Sequence, residues 1–85
     1  RLPHGRRAHI FRTVADKVDA SLDVYAAIIA AEAGKPLKAS RKEVARCVNT
    51  LRLCAEECSR LNGETIPFDS FPGGEARHGY YVYEP

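Results

Sequence analysis

The stretch Glu32-Ala33-Gly34-Lys35-Pro36-Leu37 decides how this chain folds. Upstream of it apolar residues recur at helical spacing, and downstream they do so again over a longer run. Between the two runs, Gly34 can adopt the left-handed conformation that ends a helix, and Pro36 cannot continue one. A tight corner between two helices is predicted here.

Before the corner, a helix of about Leu22 to Ala33 puts Leu22, Tyr25, Ala26, Ile29 and Ala33 on one side. Ile28 and Ala30 widen that face, so burial on more than one side is expected. Ser21 offers an N-cap oxygen, and Asp23 is placed to complement the helix dipole. A first helix, about Arg6 to Ala20, aligns Phe11, Val14, Ala15, Val18 and Leu22 in one stripe. After the corner comes the longest helix, from about Leu37 or Ser40 to Leu61. Its stripe is Val44, Cys47, Val48, Leu51, Cys54, Ala55, Cys58 and Leu61, with Arg41, Lys42, Asn49, Arg52, Glu56 and Arg60 opposite. Gly63 stops it.

Glu64 to Ala76 reads as an extended connection, with Pro67, Pro72 and the pair Gly73-Gly74. Phe68 and Phe71 are expected to be buried where this arm crosses a surface. Tyr80-Tyr81-Val82-Tyr83 is aromatic and β-branched, which is strand chemistry, and Pro85 ends it. Nothing else in the chain reads as a strand. A lone strand leaves its backbone donors and acceptors open, so its sheet partners are expected in a longer protein or another subunit. The predicted fold class is mainly α: three helices, an extended arm and a C-terminal β-strand.

With 85 residues, the chain allows one small domain at most, near the lower limit for a self-sufficient core. Its 45% apolar and 28% charged content is that of an ordinary soluble globular chain. The apolar run Val24 to Ala31 is too short to cross a membrane. Leu2-Pro3-His4-Gly5-Arg6-Arg7 lacks the apolar centre of a signal peptide, and the start at Arg1 leaves targeting open. A net charge of +2 is too small to imply a polyanion partner. Arg1, Arg6, Arg7 and Arg12, with His4 and His9, read as a helix's polar face. Without interleaved aromatics they do not make a nucleic-acid arm. Cys47, Cys54 and Cys58 cannot form a closed disulfide framework. They share one helix face, so they are expected as buried thiols acting as small hydrophobes, which suits a reducing cytoplasm.

Catalytic patterns are absent. Gly73-Gly74 neither follows a strand nor precedes a helix, as a phosphate-cradling loop would. Glu56 and Glu57 diverge by about 100° around their helix, which rules out shared acid/base work. Cys54 lies mid-helix on an apolar stripe, without the helix N-terminus or cation that activates a nucleophile. Two residues stand out beside these. Arg46, at the stripe's edge, reads either as an arginine whose stem is buried and head solvated, or as an anion receptor making bidentate bonds. Glu43, early in the long helix, reads most simply as an acid at the dipole's positive end.

Taken in order, these pieces resemble the amino-terminal region of the aldehyde dehydrogenase superfamily. Arg7 with Ile10 and Val14-Ala15 look like that family's early helix, and Asp23, Ala26 and Ala27 precede a similar E-x-G-K-P turn at Glu32 to Pro36. Glu43-Val44 opens the long helix, Ala55-Glu56-Glu57 lies within it, and Gly63-Glu64-Thr65-Ile66-Pro67 closes it. Tyr83-Glu84-Pro85 is similar to the "E-P" before the family's first core segment. Glu43-Val44-Ala45-Arg46, with Ala55-Glu56-Glu57 and Arg60-Leu61, is most similar to the non-phosphorylating glyceraldehyde-3-phosphate and lactaldehyde dehydrogenases.

The resemblance implies an amino-terminal fragment of a larger α/β enzyme that oxidises an aldehyde to a carboxylic acid with NAD or NADP. Residues 1–76 would pack on the cofactor-binding domain, and residues 77–85 would enter the oligomerisation sheet of a cytoplasmic homo-oligomer. The fragment itself would be structural and inactive, with no catalytic or cofactor-binding residue; its partners would be the rest of the enzyme and the aldehyde, not nucleic acid or membrane. Arg46 matches an anion-binding arginine of the phosphate-using members. Glu43 matches a carboxylate at a monovalent-cation site whose other ligands fall mostly outside this stretch. The alternative reading is a free-standing helical interaction module. The reading frame beyond Pro85 separates the two: a Pro-Phe-Asn or Pro-Trp-Asn continuation marks the enzyme, a stop codon the module.

Overall fold

The computed structural model describes residues 2–84; Arg1 and Pro85, read above as part of a basic face and as a strand's end, lie outside the described residues. Three α-helices come first: α1 (His4–Ala20), α2 (Leu22–Ala33) and α3 (Leu37–Glu57). A 3-10 turn (Cys58–Arg60), strand β1 (Glu64–Ile66), a second 3-10 turn (Phe68–Ser70) and strand β2 (Gly79–Tyr81) follow. The mainly helical fold class is as the sequence implied.

Helix α1 begins at His4 instead of Arg6, because Pro3 carries the helix start: its carbonyl accepts the N–H groups of Arg6 and Arg7 at 3.0 and 3.1 Å. The Ser21 cap does not form. Capping by a side chain needs extended backbone, whereas Ser21 sits at φ −110°, ψ 22°. Its N–H bonds Val18 and its carbonyl receives Tyr25, so α1 runs almost directly into α2. Gly34 ends α2 at φ 63°, as expected. Across the corner, the Pro36 carbonyl accepts both the N–H and the hydroxyl of Ser40, which is fully buried.

Helix α3 returns along the α1–α2 pair, and both pack on it while scarcely touching each other. Ion pairs record the antiparallel register: Asp23 meets Arg41 near the corner, and Asp16 and Asp19 meet Arg52 further along. At the far end Ala8, Ala55 and Cys58 cluster under Phe11. The seams are thin because the touching residues are small. Ala8, Ala15, Ala26, Val44, Val48, Ala55 and Cys58 are the buried hydrophobics, and the largest fully buried side chain is Ser40. The chain measures 64 × 24 × 17 Å with a radius of gyration of 20.8 Å, against about 12 Å for a closed domain of this length. It exposes 6812 Å², where a globule of its mass would expose about 5,000 Å².

That open shape corrects several burial expectations. Tyr25 and Ile28 of α2 and Val14 of α1 are exposed, so these expected apolar faces are not fully covered within this chain. Helix α3 gives way to the 3-10 turn at Cys58, and Leu61 is exposed, which shortens the expected stripe. Of the three thiols only Cys58 is buried; Cys54 is half-buried and Cys47 exposed. Phe68 is half-buried, but Phe71 is 67% exposed, so the arm does not bury both aromatics.

Strand β2 is not without a partner. It pairs antiparallel with β1, with Glu64 opposite Tyr81, Thr65 opposite Tyr80 and Ile66 opposite Gly79. Three residues between Gly63 and Pro67 are too few to show alternation, which hid β1 as a helix exit. The pairing needs Gly63 as glycine: its φ is 78°, and a Cβ there would lie 2.0 Å from the Tyr81 carbonyl oxygen. Beyond the ladder, the Tyr81 and Tyr83 rings meet edge to face at 5.8 Å. Among the described residues no helix is long and apolar enough to cross a membrane.

Candidate functional site

Helical spacing sorts the cations of α3 onto two sides. Arg41 and Arg52 face α1 and α2: the Arg41 Nε–H donates to Asp23 at 2.9 Å, and Arg52 Nη2–H donates to Asp19 at 3.2 Å. Lys42 and Arg46, one turn apart, point to the other side. There they line an open recess of about 630 Å³ with Lys35, Ala39, Glu43, Cys47 and Thr50. A second, more apolar recess formed by Val18, Tyr25, Ile29, Glu43, Val44 and Cys47 adjoins it. Glu43 and Cys47 belong to both, so the surface runs from an apolar floor between the helices to a cationic wall.

The structure thus brings both residues singled out from the sequence, Arg46 and Glu43, into one recess. Arg46 is exposed and makes no ion pair among the described residues; its backbone carbonyl accepts the Thr50 hydroxyl at 3.0 Å. Glu43 is already engaged, because Lys35 reaches across from the corner to its carboxylate. No group of three or more His, Cys, Asp or Glu side chains is gathered for a metal among the described residues. A cation at Glu43 would compete with Lys35 for the carboxylate. Sequence reading missed Lys35, Lys42 and Thr50. The available signal was spacing, since Lys42 and Thr50 stand four residues either side of Arg46 on one helix face.

A dinucleotide phosphate needs a glycine loop with free amides and open approach. The Gly73-Gly74 turn has no free amide, because the Gly74 N–H donates to the Phe71 carbonyl and that of Gly73 is also taken. The Gly73 N–H donates to the Glu75 carboxylate at 3.2 Å, which would repel an anion. A Cβ on Gly74 would fall 2.1 Å from the Phe68 carbonyl oxygen, so that glycine serves packing within the arm. The Glu75 carboxyl is held below the usual carboxylate range by its own backbone N–H first, then by that of Gly73. This turn does not fit a dinucleotide's phosphates.

The sequence pattern of the aldehyde dehydrogenase family matches residues 1–85, the whole chain. The chain belongs to the aldehyde dehydrogenase family. It is 48% identical over 84 residues to aspartate-semialdehyde dehydrogenase 1 of Pseudomonas canavaninivorans, covering 99% of this chain and 18% of that protein. It is 38% identical over 79 residues to 3-sulfolactaldehyde dehydrogenase of Priestia megaterium, covering 93% of this chain and 17% of the relative. It is 35% identical over 65 residues to lactaldehyde dehydrogenase of Methanococcus vannielii, covering 76% and 14%. This aldehyde dehydrogenase chain therefore spans less than a fifth of the length of the curated relatives it matches. No solved structure matches it. Lactaldehyde dehydrogenase was one of the two groups singled out from the sequence; the more similar aspartate-semialdehyde enzyme was not anticipated.

Proposed function

We propose that this chain is the amino-terminal segment of an NAD- or NADP-dependent enzyme that oxidises an anionic aldehyde to a carboxylic acid, and that Arg46 receives the anionic group. The observation that carries this reading is the exposed Arg46, without an ion pair among the described residues, in a recess whose carboxylate, Glu43, Lys35 already engages. A guanidinium there can make the paired hydrogen bonds that a carboxylate, sulfonate or phosphate accepts. Two relatives are named for aspartate semialdehyde and 3-sulfolactaldehyde, aldehydes that carry a carboxylate and a sulfonate. Family membership supplies the redox chemistry, with the nicotinamide cofactor held by residues outside this chain.

In this proposal residues 1–76 pack on the cofactor-binding domain, and residues 77–85 lead into the oligomerisation sheet of a cytoplasmic homo-oligomer. The apolar side chains left exposed on α2, α3 and β2 support that role, among them Val24, Ile28, Leu53 and Tyr80. The unpaired thiols are consistent with a reducing compartment. The segment by itself is inactive: the purified 85-residue chain is expected to show no NAD(P)-dependent aldehyde oxidation. Turnover by that chain, free of contaminating enzyme, would contradict this.

The decisive experiment uses the complete enzyme and a matched pair of substrates, a carboxylate-bearing aldehyde and its neutral methyl ester. Arg46→Ala should lower kcat/KM for the anion by about tenfold to a hundredfold, the loss of a charge-assisted contact worth about 1.5–3 kcal/mol. The ester should be affected far less. Equal losses on both substrates would return Arg46 to a purely structural role.

A further inference from the structure

Lys42 and Arg46 are like charges one turn apart on α3, an arrangement that mildly destabilises a helix when nothing sits between them. Three cations of the helical hairpin are answered, Arg41 by Asp23, Arg52 by Asp16 and Asp19, and Lys35 by Glu43, whereas Lys17 and Lys38 make no ion pair among the described residues. Lys42 and Arg46 have no carboxylate among the described residues, yet both line the same recess. With Glu43 taken by Lys35, that recess keeps two uncompensated positive charges on one wall. Thr50, one turn beyond Arg46, sends its hydroxyl proton to the Arg46 carbonyl and so supplies no counter-charge.

We infer that Lys42 is a second anion contact beside Arg46, and that together they select an aldehyde whose remote end is an oxyanion. The two side chains suit different tasks. The guanidinium is a rigid planar fork that sets the orientation of the group, while the ammonium is a point charge on a flexible stem that follows it. Between them they span a carboxylate, a sulfonate or a phosphate with several acceptor oxygens. Lys42 is in this sense a specificity residue that acts on substrate binding. The inference rests on the Arg46 reading above, and it adds that Arg46 does not act alone.

The test is made in the complete enzyme with Lys42→Ala, Lys42→Arg and Arg46→Ala, on the carboxylate-bearing aldehyde and its methyl ester. Lys42→Ala should lower the anion-to-ester ratio of kcat/KM by about tenfold, mainly through KM of the anion. Lys42→Arg should recover most of that ratio. Inorganic sulfate should inhibit competitively with the anionic aldehyde, and Lys42→Ala should weaken that inhibition by a similar factor. If Arg46→Ala shifts the ratio and Lys42→Ala does not, Lys42 is no anion contact while the proposed function stands. If neither shifts it, the Arg46 reading fails as well. A fall in Tm on Lys42→Ala with an unchanged ratio would mean that Lys42 pairs with an acid elsewhere in the enzyme, which also overturns the inference.

Discussion

Replacing Gly63 with alanine should open the β1–β2 hairpin while leaving the three helices in place. Two costs add. An L-residue in left-handed backbone costs roughly 1–2 kcal/mol, and Gly63 sits at φ 78°. The new methyl would also lie 2.0 Å from the Tyr81 oxygen, 2.9 Å from its carbonyl carbon and 3.1 Å from the Val82 Cα. All three are backbone atoms, so no rotamer change relieves the contact. Restoring an ordinary 3.4 Å separation moves the strands apart by 1.4 Å (3.4 − 2.0), enough to break bonding at the adjoining Glu64–Tyr81 pair. A ladder bond contributes about 1 kcal/mol, which brings the total to about 2–3 kcal/mol. A three-residue ladder has little to set against that. The assay is amide hydrogen exchange by mass spectrometry on the complete enzyme, following peptides that contain residues 64–66 and 79–81. Since about 1.4 kcal/mol is tenfold, protection there should fall by more than about tenfold, with α1 to α3 unchanged. Gly5→Ala is the control, because it lies in α1 with open space around its Cβ position and should not weaken the fold. Unchanged exchange of both strands in Gly63→Ala would refute the reasoning.

Two further outcomes follow from the packing and the charges. Ala15 is fully buried at the α1–α3 seam, so Ala15→Leu should overpack it, cost about 1–3 kcal/mol and lower the Tm of the complete enzyme; an unchanged Tm would contradict a tight seam. Glu75 has its carboxyl pKa lowered in the folded arm by backbone hydrogen bonds, first its own and then that of Gly73. Its contribution to the arm is therefore complete above the ordinary carboxylate range and is lost as pH falls through the lowered value. An NMR titration of Glu75 should find its midpoint below that of a free glutamate side chain; a midpoint at or above it would contradict the Gly73 contact.

The helices were legible because their punctuation is local. Gly34 and Pro36 fix the corner through backbone conformation alone, and Leu22 to Ala33 emerges with its expected bounds. The Ser21 cap was not legible, because whether a serine caps depends on whether the backbone leaves the helix, and here it hardly does. Strand β1 hid for a different reason: Glu64-Thr65-Ile66 becomes a strand only through its pairing with residues 79–81, a non-local partner. Burial was over-read wherever a helix face has nothing in this chain to meet, as at Tyr25, Ile28 and Cys47. At the candidate site, Arg46 and Glu43 stood out by their place on the long helix and took their ligand roles from resemblance, and helical spacing could have added Lys42. That Lys35 engages Glu43 was beyond the sequence, because it depends on how the Gly34–Pro36 corner aims the lysine back along α3.

Whether Arg46 receives an anionic group of the substrate is decided by a crystal structure of the complete enzyme with a carboxylate- or sulfonate-bearing substrate analogue. Oxygens of that anion should accept hydrogen bonds from the Arg46 guanidinium at about 2.7–2.9 Å. An analogue seated with its anion elsewhere, and Arg46 paired with an acid from another part of the enzyme, would contradict it.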